Sequence, residues 1–82
     1  MGIFEEIENI AKQGYSIEYQ TIDQLQNGYK KDIEKGLKPP ITYTVYVTRL
    51  SDSEPLYNES FDHIQDCLKA GIKYAKENLI ET

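Results

Sequence analysis

The chain has 82 residues, of which 39% are hydrophobic and 28% are charged. A chain of this length supplies one hydrophobic core, so we expect a single globular domain over residues 1–82. The composition excludes disordered, fibrous and membrane-spanning classes. Fourteen acidic residues against nine basic ones give a net charge of −5, which opposes non-specific binding to nucleic acids and to anionic membranes.

The cysteine content and the first residues favour a cytoplasmic location. The single cysteine, Cys67, cannot form an intramolecular disulfide, whereas small secreted domains usually contain several. The first residues carry neither the basic region of a signal peptide nor a long apolar run. Residues with AT-rich codons (Phe, Tyr, Met, Ile, Asn, Lys) outnumber those with GC-rich codons (Gly, Ala, Arg, Pro) more than twofold, which favours a bacterial or phage origin.

The N-terminal segment predicts a helix followed by a strand. Ile3, Ile7 and Ile10 recur at helical spacing, and Gly14 then ends a helix of roughly 2–13. Apolar and polar residues alternate from Tyr15 onward, as in a half-buried strand.

The next segment is compatible with two structures. A capping box that begins at Thr21, followed by apolar residues at helical spacing, predicts an extra helix at about 21–36. Asn27-Gly28, however, is typical of a two-residue hairpin turn, in which case the first strand would continue to Gln26.

The middle of the chain predicts a β-hairpin. Residues 41–50 are rich in β-branched and aromatic side chains, which favours a strand. Turn-forming residues follow at 51–54, and residues 55–59 form the returning strand, with Pro55 suited to a sheet edge.

The C-terminal segment predicts an amphipathic helix at about 60–80, with Ser60 as its N-cap. The apolar residues that share one face of this helix are expected to contact the sheet. They are Phe61, Ile64, Leu68, Ile72, Ala75 and Leu79.

These elements predict a two-layer α+β fold, in which the N- and C-terminal helices pack on one face of a small, mainly antiparallel sheet. Alternation along the central strand defines its two faces. The side facing the helices would carry Ile41, Tyr43, Val45 and Val47, and the open side Thr42, Thr44, Tyr46 and Thr48. A four-residue connection at 51–54 would pair Thr48 with Tyr57 and bring Tyr57 beside Tyr46 on the open side.

No motif indicates catalysis or a cofactor. His63 and Cys67 are four residues apart on one helix, a spacing that suits a shared metal, but a closed zinc site needs four ligands and the chain has no other His or Cys. We expect both residues to lie beside the apolar helix face, together with Tyr74. We therefore predict no metal, no cofactor and no enzymatic activity, and a small-molecule enzyme is the second alternative.

The favoured function is a small acidic, cytoplasmic protein-binding module whose partner is another protein or a second copy of the chain. In size and acidity it resembles small phage and mobile-element proteins that modulate a host protein. Tyrosine is enriched at interface hot spots because it buries a large area with few rotamers to restrict. The open sheet face therefore predicts the partner-binding residues Thr44, Tyr46, Thr48 and Tyr57.

The first alternative is a nucleic-acid-associated module. Its anion contacts would be made by Lys30, Lys31, Lys35 and Lys38. The order helix, strands, helix resembles that of double-stranded-RNA-binding domains in topology alone, because residues 60–66 read Ser-Phe-Asp-His-Ile-Gln-Asp and lack the basic start of their second helix. The net charge makes nucleic acid the less favoured partner, and no membrane partner is expected.

Overall fold

The computed structural model describes residues 2–80 and confirms the α+β class. Its three strands form one antiparallel sheet in the order β1, β2, β3. Helices α1 and α3 pack on one face of this sheet around a shared core. The elements are α1 (Ile3–Lys12), β1 (Tyr15–Asp23), α2 (Lys30–Glu34), β2 (Ile41–Arg49), β3 (Glu54–Phe61) and α3 (Ile64–Asn78).

The core lies between the helix layer and the end of the β1/β2 hairpin where β1 begins and β2 ends. Ile17 of β1 and Val45 and Val47 of β2 point toward the helices and are buried, as the alternation along β2 predicts. Ile10 is the buried residue of α1. The buried residues of α3 are Cys67, Leu68, Gly71, Ile72 and Ala75.

Gly71 lets α3 lie very close to the sheet. A Cβ atom at this position would stand 2.7 Å from Val45 Cγ2 and 3.2 Å from Ile17 Cγ2. Both distances are shorter than ordinary van der Waals contact. The helix backbone therefore packs directly against the side chains of the two strands.

The start of α3 differs from the predicted one. The helix begins at Ile64 with His63 as its N-cap, whereas Ser60 and Phe61 belong to β3. Ser60 pairs with Thr44 in the sheet, and the hydroxyls of these two residues are hydrogen-bonded at 2.8 Å. Strand pairing thus satisfies the polar groups of Ser60 that the prediction assigned to a helix cap. Phe61 still packs against the core, but from the strand.

Residues 21–36 form neither the complete helix nor the strand to Gln26 that the sequence predicted as alternatives. β1 continues to Asp23, which pairs with Ile41, and only the five residues Lys30–Glu34 are helical. The Asp23 carboxylate accepts a hydrogen bond from the Leu25 backbone N–H, which starts a turn. Gly28 then has a φ of +88°, a conformation that a helix cannot include and that glycine adopts readily.

Within residues 2–80, none of the helices combines the length and the apolar character needed to cross a membrane.

We expect the methyl group that Gly71→Ala introduces to overpack the contact with Val45, which by itself would cost about 1 to 3 kcal/mol of stability. Helix propensity acts in the opposite direction, since Ala is favoured over Gly by about 1 kcal/mol in a helix interior. Urea unfolding of Gly71→Ala and of the exposed-site control Lys73→Ala measures the difference.

If Val45 is first replaced by Ala, the methyl group that overpacks against the new side chain at position 71 is absent. In a Val45→Ala background, Gly71→Ala should therefore cost much less than in the wild type. An equal effect of Gly71→Ala on stability in the wild-type and Val45→Ala backgrounds would contradict the close approach of α3 to the sheet.

Candidate functional site

The predicted partner-binding residues are divided between the two faces of the sheet. Tyr57 pairs with Val47 rather than with Thr48, and Thr48 pairs with Pro55. Directly paired residues share a face, so Tyr57 lies on the helix side and the predicted register was wrong. The turn is shifted so that Arg49 pairs with Glu54, a register that by itself would place Tyr57 opposite Tyr46 on the open face. The β-bulge between Val47 and Thr48 adds one residue to β3 and so moves Tyr57 to the helix side.

Tyr57 helps to hold α3 on the sheet. Its ring stacks on that of Tyr74, with centroids 4.5 Å apart and planes inclined by 10°. The Tyr57 hydroxyl donates a hydrogen bond to the Glu59 carboxylate, and the Tyr74 hydroxyl donates one to the Leu56 carbonyl at 3.3 Å. Burial, and then the hydrogen bond and charge of Glu59, raise the pKa of Tyr57 to about 12.

The open face of the sheet carries the other three predicted residues, Thr44, Tyr46 and Thr48, all half-buried. Its polar side chains bind one another. The Thr44 hydroxyl is bonded to that of Ser60, and the Tyr46 hydroxyl donates to Gln20 Oε1 at 3.3 Å. This face is therefore rich in hydroxyl groups, most of which already have hydrogen-bond partners within the chain. It offers few apolar side chains to a binding partner.

A second surface lies at the far end of the β1/β2 hairpin, in residues 24–40, which we call the arm. Within residues 2–80, α2 of the arm packs against no other helix or strand. Leu25 and Leu37 have exposed fractions of 53% and 74%, and Tyr29 is also exposed. Three of the eight exposed large hydrophobic residues among residues 2–80 therefore belong to the arm, and two more, Tyr19 and Ile41, lie in the strands beside it.

The arm is ordered by hydrogen bonds rather than by a hydrophobic core. The Gln24 backbone N–H donates to the Pro40 carbonyl at 2.9 Å, which closes the base of the arm. The Gln24 side-chain amide donates to the Thr42 hydroxyl at 2.7 Å, and both residues are buried. Farther along, the Leu37 N–H donates to the Asp32 carbonyl at 2.9 Å. The exposed apolar side chains are therefore presented on a preformed backbone.

The four lysines of the predicted anion contact all belong to the arm. Lys30 and Lys31 begin α2, and Lys35 follows its end; all three are exposed. Lys38 is half-buried, and its Nζ lies 3.8 Å from the centre of the Tyr29 ring. This cation–π contact fixes Lys38 and leaves the other three lysines as the accessible positive charges.

His63 and Cys67 lie in different environments. His63 is exposed, whereas Cys67 is completely buried and belongs to the core, which corrects the expectation that it lies beside the apolar face. Burial raises the pKa of the Cys67 thiol and so disfavours the reactive thiolate. In the part of the chain that the structure describes, no three His, Cys, Asp or Glu side chains converge in a metal-binding group.

Sequence reasoning identified the lysines of the arm but missed its apolar surface, because the apolar residues were assigned to one face of a longer helix. The signal that could have indicated the arm is the combination of Asn27-Gly28 with Pro39-Pro40, which leaves little room for a long helix. The buried pair formed by Gln24 and Thr42 has no signal of this kind, because it joins residues 18 positions apart.

Comparison of the chain with protein-family models, with curated proteins and with solved structures finds no match. The function must therefore be argued from the surfaces of this chain.

The two tyrosines should respond differently to truncation. Tyr57→Ala removes a stacked, half-buried ring, so we expect it to lower the free energy of unfolding by about 2 kcal/mol. Tyr46→Ala removes a half-buried ring from the open face and should cost less than about 1 kcal/mol. Urea unfolding of both variants provides the measurement. Equal losses of stability would contradict the register in which Tyr57 faces α3.

Proposed function

We propose that this protein is a non-catalytic protein-binding module that contacts its partner through the arm. The observation that carries the proposal is the exposure of Leu25 and Leu37 on a segment that is hydrogen-bonded into a defined shape but does not contribute to the core. In a bacterium or phage, such a cytoplasmic module would act by modulating the protein that it binds.

The length of the arm supports a functional role. It takes 17 of the 82 residues, of which only Lys30–Glu34 are helical. Connections longer than about 12 to 15 residues with little secondary structure of their own are usually functional when they are ordered. Clustered exposed apolar side chains mark interaction surfaces, and a preformed backbone lowers the entropy cost of binding.

The charge of the arm indicates the chemistry of the partner. Four lysines, with Asp32 and Glu34, give the arm a net charge of +2, which leaves −7 on the rest of the chain. A partner surface that combines acidic and apolar residues would attract the arm and be repelled by the remainder, and this contrast would orient the complex. A nucleic acid would meet the same repulsion without gaining from the exposed leucines, so we favour an acidic protein surface.

The leucines of the arm can be tested against a matched pair elsewhere. We expect Leu25→Ser combined with Leu37→Ser to weaken partner binding about 30-fold, because losing an apolar hot spot costs about 2 kcal/mol. Phe4→Ser combined with Leu50→Ser is the control, since these residues are 80% and 52% exposed and lie outside the arm. The partner is captured from the source cell by cross-linking to the wild-type protein, purified, and titrated with each variant.

Two results would contradict the proposal. One is equal binding of the partner by the wild-type protein and the arm variant, with both folded by circular dichroism. The other is recovery that nuclease treatment abolishes, which would support the nucleic-acid alternative.

The lysines of the arm should control the rate of association. Lys30→Glu, Lys31→Glu and Lys35→Glu together should slow binding of the captured protein at least tenfold at low salt, because they reverse the steering charge. The control reverses the exposed Lys12, Lys69 and Lys73, which gives the same net charge outside the arm. Stopped-flow measurements at increasing salt should show the difference shrinking. Equal slowing by both triple variants would assign the effect to net charge alone.

A further inference from the structure

The two edges of the sheet differ in their protection against pairing with another strand. β3 contains Pro55, which lacks a backbone N–H, and it carries Glu54 and Glu59 as well as the irregular pairing opposite Val47 and Thr48. Proline, charge and bulges are the usual features that prevent edge pairing. β1 likewise carries two carboxylates, Glu18 and Asp23, but it contains no proline and its pairing with β2 is regular throughout.

The outer edge of β1 is accessible at its centre. Within residues 2–80, β1 pairs with β2 alone. Four consecutive residues, 18–21, are exposed although they alternate between the two faces, whereas the preceding Ile17 is buried under the helices. Tyr19 points to the helix side, opposite the buried Val45, and is still 49% exposed. The helix layer therefore ends before it covers this part of the strand.

We propose that β1 pairs antiparallel with β1 of a second copy of the chain, about a two-fold axis at Tyr19. This arrangement joins the two sheets into one of six strands and keeps the helices of both copies on the same side. A two-fold contact uses the same surface patch on both copies, so the strand must be complementary to itself. This inference is independent of the function proposed for the arm.

The sequence of β1 is self-complementary in this register. Tyr19 lies opposite Tyr19 of the other copy, which brings two half-exposed aromatic rings together. Glu18 lies opposite Gln20, so that no carboxylates face each other directly. An axis at Glu18 would oppose two glutamates, and an axis at Gln20 would place Glu18 opposite Ile22. Of these three axes, the one at Tyr19 is therefore the most favourable.

Disulfide trapping tests this register, because antiparallel partners have Cα atoms about 4.5 to 5.5 Å apart, within the range that a disulfide spans. Tyr19→Cys should form covalent dimers when oxidised glutathione serves as the oxidant. Glu18→Cys and Gln20→Cys should form few dimers alone and many when mixed. Glu59→Cys, on the β3 edge, is the control that should stay monomeric. Dimers of Glu59→Cys as abundant as those of Tyr19→Cys would overturn the proposal.

Sedimentation of the protein without new cysteines provides the second test. Wild-type protein should dimerise, and more tightly as salt rises, because each copy carries a net charge of −5. Tyr19→Lys should raise the dimer dissociation constant at least tenfold, whereas Asn58→Lys, the same type of charge change on β3, should not. A wild-type protein that remains monomeric up to about 1 mM at high salt would overturn the proposal.

Discussion

The contact between α3 and the sheet at Gly71 is the constraint on which the rest of the fold depends. Because this position has no side chain, the helix backbone lies against Val45 and Ile17, and the buried residues on either side of Gly71 fill the space around both strands. The described residues share one small core. A helix held farther from the sheet would leave voids that no other element could fill.

This packing concentrates the core at one end of a long hairpin. The helices bury Ile17, Val45 and Val47, but β1 continues to Asp23 and β2 begins at Ile41. The far end of the hairpin lies outside the core, so other interactions must hold its backbone in place. The buried hydrogen bond between the Gln24 amide and the Thr42 hydroxyl is one of them. The packed helices and sheet therefore provide most of the stability, while hydrogen bonds give the arm a defined shape without burying its leucines.

The two proposed contacts would be compatible in one assembly. Both depend on the same geometric fact, which is that the helix layer is shorter than the β1/β2 hairpin. In a pair of copies joined antiparallel along β1, the two arms would project from opposite ends of the six-stranded sheet, because each arm follows the end of its own β1. Salt should affect the two contacts in opposite ways. The positively charged arm would be attracted to an acidic partner, whereas pairing along β1 brings together two copies that each carry a net negative charge.

The sequence by itself determined the class of the fold and most of its elements, because helical and alternating periodicities are local properties of the chain. The faces of Val45 and Val47 followed from the same alternation. The face of Tyr57 did not, because a single bulge decides which side of the sheet the rest of the returning strand presents. Tertiary structure also decided that Cys67 is buried and that Leu37 is exposed. Periodicity can indicate that a side chain is apolar and where it points, but only the arrangement of the other elements determines whether anything lies there to cover it.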